Sequence, residues 1–263
     1  MGWKIGIKII FVIGILSIGI SAFTGEPAPI SKPRSGEEKS FNFTATKLGI
    51  PILRATIKII EEWSLEKDKP LFKVQAIFQS PPSLELLFRM NNRFTSTLEG
   101  GTYTPVTSVK EIDQGGLLIK KKNYLQTFTF DLLHRKVVVE STEKKERQEI
   151  PLPSGTYDPL AMFARFYLKE ELLPGQDIQM SIFDGERTRL LVFHSNKEKI
   201  KSKMYGEVET VRLESKTFFS TFRDREGTIR IWYTTDGSKT PILIEADLPV
   251  GKIMFELESI YGN

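Results

Sequence analysis

Two stretches at opposite ends of the chain keep the same period-two rhythm, and that rhythm limits what the polypeptide between them can become. Phe41, Phe43 and Ala45 alternate with Asn42, Thr44 and Thr46, while Ile253, Phe255 and Leu257 alternate with Lys252, Met254, Glu256 and Glu258. Only an extended strand puts every second side chain on one face, so each stretch reads as a half-buried strand. Further β-rich runs lie between them at Ile57–Glu61, Leu71–Gln79, Asn123–Phe130, Lys136–Ser141 and Val208–Ser215. Asp184-Gly185 separates Met180–Phe183 from Leu190–Phe193, and Asp236-Gly237 separates Ile229–Tyr233 from Ile242–Ala246. Asp-Gly tolerates the positive φ angles of tight hairpin turns. A third hairpin is predicted at Arg223–Thr228, between Phe218–Phe222 and Ile229–Tyr233.

One segment follows another period. Asp158-Pro159 begins it and Pro174-Gly175 ends it. Asp caps helices, and Pro suits the first helical position. Leu160, Phe163 and Tyr167 share a face at helical spacing, with Phe166 beside them, which predicts one amphipathic helix over about 158–173. The segment Pro82–Met90 could form a short helix or a strand. The expected class is mainly β: a curved antiparallel sheet, an incomplete barrel or a sandwich, packed with that helix.

Residues 1–22 carry Lys4 and Lys8, no carboxylate, an apolar or glycine run from Ile9 to Ile20, then Ser21-Ala22. This is the build of a secretory signal peptide, with an uncleaved N-terminal anchor as the alternative. The apolar run is shorter than the roughly 20 residues that cross a bilayer as a helix, so no stable span is expected once the signal is cleaved. Residues 23–40, rich in Pro, Ser, Gly and charge, read as a flexible leader, and 41–263 as one domain. Export, to the periplasm or beyond, is therefore the expected location. Removing Lys4 and Lys8 leaves 35 basic residues of the 37 against 33 acidic ones, so charge gives no reason to expect nucleic acid. Lys120-Lys121-Lys122 and the alternating Lys197, Lys199, Lys201 and Lys203 read as solvated strand or loop edges, or else as contacts for anionic lipid headgroups.

Chemistry-bearing motifs are scarce. The chain has no cysteine and only His134 and His194, which removes disulfides, thiolate chemistry and multi-histidine metal sites. No nucleophile elbow, zinc-protease helix, phosphate loop or dinucleotide fingerprint occurs. Ser64-Leu65-Glu66-Lys67 matches a Ser-x-x-Lys pattern without its companion motifs. Both histidines read as structural or surface residues, and Asp113, Asp131, Asp184 and Asp236 read as turn formers. Asn42-Phe43-Thr44 fits a glycosylation sequon but falls on a strand. Trp63, Phe78, Phe88, Phe94, Phe128, Phe130, Phe163, Phe166 and Trp232 could line an apolar interior. Alternation does not separate a filled core from a cavity, because both need inward apolar side chains.

Several of these residues form a series. Asp158-Pro159-Leu160, Arg165, Leu173-x-Gly175 and Asp184-Gly185 resemble the first half of a signature. Ile231-Trp232-Tyr233-Thr234-Thr235-Asp236, Pro241 and Gly251 resemble its second half. The chain is thereby similar to family 3108 of the bacterial domains of unknown function, over about residues 38–257. The resemblance implies an exported β-rich envelope protein and implies no reaction. Asp158, Pro159, Gly175, Asp184, Gly185, Asp236, Pro241 and Gly251 are given structural roles. Trp232 is expected to pack the helix onto the sheet, and Arg165 to pair with a carboxylate or a strand-end carbonyl. If a ligand binds, Trp232, Arg165, Phe163 and Tyr167 are the candidates to hold it. The expected function is non-enzymatic binding of a lipid or other apolar or amphipathic molecule, with no cofactor or metal. The alternatives are an assembly module with a filled core that engages an envelope protein, and, behind both, a hydrolase of envelope polymers.

Overall fold

The computed structural model describes residues 38–64, 69–143, 146–249 and 251–262. The signal segment, most of the leader and Lys67 lie outside the described residues. One sheet of fifteen strands accounts for most of the rest. Its first half is β1 (Glu38–Lys47), β2 (Ile50–Ser64), β3 (Lys69–Gln79), β4 (Arg89–Glu99), β5 (Pro105–Gly115), β6 (Lys122–Asp131), β7 (Lys136–Ser141) and β8 (Glu146–Pro151). After β9 (Thr156–Tyr157) and the helix α1 (Pro159–Leu168) come β10 (Asp177–Phe183), β11 (Thr188–Ser202), β12 (Gly206–Phe219), β13 (Arg225–Thr234), β14 (Pro241–Leu248) and β15 (Gly251–Tyr261).

The strand order runs β8 down to β1, then β15 down to β9. Neighbours are antiparallel except β9 and β10, which are parallel. The two outermost strands, β8 and β9, are therefore consecutive in sequence, joined by residues 152–155. A flat sheet of fifteen strands would be roughly 67 Å wide at the usual strand spacing. A four-residue connector reaches about 18 Å at most. The sheet must curl until its edges meet, and it does so without hydrogen bonding β8 to β9. Register shifts at Asn42/Phe43, Ala45/Thr46, Thr97/Leu98 and Trp232/Tyr233 supply local bends.

The edges overlap. On β10, Met180 and Ile182 belong to the main core, whereas Phe183 packs with Phe128, Phe130, Val137, Val139 and Leu152 in a second cluster. Successive strand residues point to opposite faces. The β10 end is therefore covered on both faces, tucked inside β6 and β7, with Phe183 edge-on to Phe128 at 5.8 Å.

Within the wrap lies α1, touching β3, β4, β9 and β10. Eight of its ten residues are buried, which corrects the expectation of one apolar face. A helix enclosed by a curled sheet has no solvent side, and so its sequence is apolar nearly all round. It also ends earlier than 173. Arg165 bonds to Glu170 just past the end, and the Lys239 ammonium donates to the carbonyls of Phe166 (3.2 Å) and Glu170 (2.7 Å). Phe166 stacks edge-on against Phe193 at 4.9 Å, and Tyr167 against Phe41 at 5.2 Å.

Other boundaries shift for local reasons. β1 begins at Glu38, inside the segment read as leader. The helix considered at 82–90 is one 3₁₀ turn, Pro82–Leu84, and Arg89 already opens β4. The predicted third hairpin turns earlier, through a 3₁₀ turn at Ser220–Phe222 and two left-handed residues, Arg223 and Asp224. Asn42 is buried and bonded to Thr56 and Ser259, which explains its place in a strand.

Candidate functional site

Ten helical residues span about 15 Å. That is too short to fill a fifteen-stranded wrap, and a cavity of about 620 Å³ remains beside the first turns of α1. One wall comes from β4–β8, including Phe94, Ile112, Tyr124 and Phe128. The facing wall comes from β10–β14, including Ile182, Leu191, Ile229, Ile231 and Ile244. Leu160, Met162 and Phe163 of α1 close one side. Most of the lining is apolar.

The polar exceptions are arranged. Along β5 the side chains of Ser108, Lys110, Ile112 and Gln114 line the cavity. The Lys110 ammonium donates to the backbone carbonyl of Asp184 at 3.1 Å and lies 4.9 Å from the centroid of the Phe128 ring. Burial pushes its pKa below the ordinary 10.5, while the more distant charges of Asp184, Glu186 and Asp158 pull the other way. Gly185 makes the room: its φ is +101°, and a Cβ there would collide with the ammonium.

At the helix end of the cavity stands Asp158. Its Oδ1 accepts the backbone N–H groups of Leu160 (2.9 Å) and Ala161 (2.8 Å), the N-cap role expected for it. Its Oδ2 accepts the hydroxyls of Ser96 (2.6 Å) and Ser108. One buried carboxylate thus caps α1 and ties it to β4 and β5. Asp184 makes its turn through Oδ1, which accepts the N–H groups of Glu186 and Arg187 at 2.8 Å each. Its Oδ2 accepts the Ser220 hydroxyl at 2.7 Å. Arg187 and Arg189, also at the cavity, pair with Asp224 at 2.8 and 2.5 Å.

Of the four candidate ligand residues, Phe163 lines the cavity. Arg165 is held by Glu170 and by the Tyr157 hydroxyl, with its guanidinium 4.9 Å from the Tyr157 ring. The carboxylate partner expected for Arg165 is therefore Glu170. Tyr167 sits in the core, where burial pushes its phenol up to about 12. Trp232 corrects the reading most. It is buried in the main apolar cluster but does not line the cavity. There its N–H donates to Glu198 at 3.1 Å, beside Arg212 on the same carboxylate. Pro159 is the first residue of α1, and Gly175 and Gly251 adopt φ of +82° and +111°. Asp236 accepts the hydroxyls of Thr234 and Ser238 in its turn, and Pro241 opens β14. His134 and His194 pair with Asp131 and Asp177 on the exposed surface, at 2.7 and 2.6 Å. Among the described residues no group of three or more His, Asp or Glu is placed to hold a metal ion.

The family model described as "Protein of unknown function (DUF3108)" matches residues 40–258. The chain belongs to that family. Within solved structures, this DUF3108 chain is similar to a beta-barrel-like protein of domain of unknown function DUF1849 from Brucella abortus. The TM-score is 0.57 at 11% identity, covering 88% of this chain and 99% of that one, a likeness of fold. No curated protein sequence matches the chain. Among the described residues no helix is long and apolar enough to cross a membrane.

Lys110 and its strand escaped the sequence reading. The β5 residues at the cavity are Ser108, Val109, Lys110, Ile112 and Gln114. A strand whose inner face borders a cavity carries polar residues on both faces, and the alternation that revealed β1 and β15 is absent from it.

Proposed function

We propose that this protein is exported to the cell envelope and there binds an apolar or amphipathic molecule inside its sheet, without transforming it. The observation that carries the binding reading is the cavity: about 620 Å³, mostly apolar, and bordered by the sheet and α1. That volume falls in the range of roughly 300–1,000 Å³ typical of small-molecule sites. An acyl chain laid against Phe94, Phe128 and Phe163 would gain about 0.8 kcal/mol for each CH₂ removed from water. Export rests on the charged-apolar-small order of residues 1–22.

Native mass spectrometry of the protein isolated from cells expressing the full chain tests the binding. A stoichiometric adduct that organic extraction identifies as lipid is the expected result. A bare protein mass that persists after incubation with total envelope lipid would overturn the reading. Fractionation of the same cells tests the location.

A further inference from the structure

We infer that the cavity selects a single-chain amphiphile with an anionic head, a carboxylate or a phosphate monoester, and that the Lys110 ammonium holds that head beside the Asp184-Gly185 turn. This inference rests on the cavity being a ligand site and goes on to name the chemistry it takes.

The charged groups around the cavity differ in the partners they already hold. Arg187 pairs with Asp224, and Arg189 with Asp224 and, at 3.6 Å, with Asp184, while the carboxylates of Glu143 and Glu186 stand at the exposed part of the lining. Both oxygens of Asp158 are occupied, one by two helix N–H groups and the other by two serine hydroxyls. Asp184 is likewise taken, by two backbone N–H groups and Ser220. Lys110 differs from all of these. Its ammonium makes one hydrogen bond, to a neutral carbonyl, and faces an aromatic ring. Among the described residues no carboxylate forms an ion pair with it within 4.0 Å. An ammonium has three donors, so two remain for a ligand.

The ammonium is half-buried and in no ion pair, so an anion from outside the chain can take its remaining donors in charge-assisted hydrogen bonds. The apolar side chains across the cavity, Ile229, Ile231 and Ile244, suit an acyl tail at the same time. Gly185 fits this account, because its missing Cβ is the space the ammonium occupies. A neutral head would leave the charge unmet. A two-chain lipid would have to fit both tails into the one cavity.

Calorimetric titration of the delipidated full chain with dodecanoate, dodecyl phosphate and dodecanol is the test, repeated on Lys110→Met, Lys110→Gln and Lys110→Arg. The expected result is that at least one anion binds about tenfold or more tighter than dodecanol, as a charge-assisted hydrogen bond should provide. Lys110→Met and Lys110→Gln should lose that preference while still binding dodecanol, and Lys110→Arg should keep it. Whichever anion binds more tightly identifies the head. Equal affinity of wild type for all three would overturn the inference and leave the cavity reading standing. A preference retained in both Lys110→Met and Lys110→Gln would also overturn it. Failure of all three to bind would remove the cavity reading itself. The wild-type comparison decides the matter even where a variant does not fold.

Discussion

Around the second half of α1, Phe166 and Tyr167 meet Phe193 and Phe41 edge-on, and Phe41, Phe166 and Phe193 are each fully buried. Around its first half, Leu160, Met162 and Phe163 face open space, serines and a lysine. The same helix and the same sheet thus make a filled core at one end and a cavity at the other. Strands can be added until a sheet closes on itself, but a ten-residue helix fills only as much as its length allows. What is left over is a cavity into which β5 turns Ser108, Lys110 and Gln114.

The largest test of that contrast is truncation. Phe166→Ala should cost about 3–5 kcal/mol, the usual loss for a packed core aromatic. Ile112→Ala, on the cavity wall, should fall at or below about 2 kcal/mol, since it enlarges a space that already exists. Urea denaturation measures both, and equal losses would mean that the two ends are packed alike.

Next is the joint between them. Asp158→Ala removes a cap worth about 1 kcal/mol. It also leaves the Ser96 and Ser108 hydroxyls, 3.2 Å apart, with only each other, so that one loses its acceptor at about 1–3 kcal/mol, for a total of roughly 2–4 kcal/mol. Asp158→Asn, which keeps an acceptor at the cap, should recover a large part. A melt that ranks the two variants equally would show that the cap and the serines are not shared through one carboxylate.

Overpacking separates the ends in the opposite direction. Ala161→Leu, on the fully buried side of α1, should cost about 1–3 kcal/mol, whereas Ala246→Leu at the cavity should cost less than about 1 kcal/mol. The thermal midpoints of the two variants decide this.

The smallest effect is electrostatic. Burial lowers the Lys110 pKa in the folded state below the 10.5 of the unfolded chain, so between those values the folded protein binds fewer protons. The cost of the buried charge is complete below the lowered pKa, and stability rises with pH from there toward 10.5. Lys110→Met should be more stable than wild type at neutral pH without ligand, and should lack that rise. Chemical denaturation across neutral to alkaline pH reads it, and parallel curves would place the ammonium in water.

Legibility followed the burial of each face. β1, β15 and the strands around Asp184-Gly185 and Asp236-Gly237 have one apolar face and tight turns, and local pattern found them. Phe163 was found because it sits on a helical stripe and belongs to the cavity as well as the core. Trp232, a large aromatic in an apolar run, is buried as that pattern implies, but Glu198 holds its N–H and it does not line the cavity, which no local pattern marks. β4 and β5 were missed because their cavity side includes Asn92, Ser96, Ser108 and Lys110, which no periodicity marks as inward.

By itself the sequence determined a β-rich chain with one capped helix, since those depend on alternation, turn chemistry and the Asp158-Pro159 cap, all of them local. Only the tertiary structure decided that the sheet overlaps its own edges, that eight of the ten α1 residues are buried within it, and that Lys110 ends beside Asp184 outside any ion pair. Those outcomes depend on contacts between residues 74 positions apart and more, and on a volume, which is a property of the whole wrap and of no segment within it.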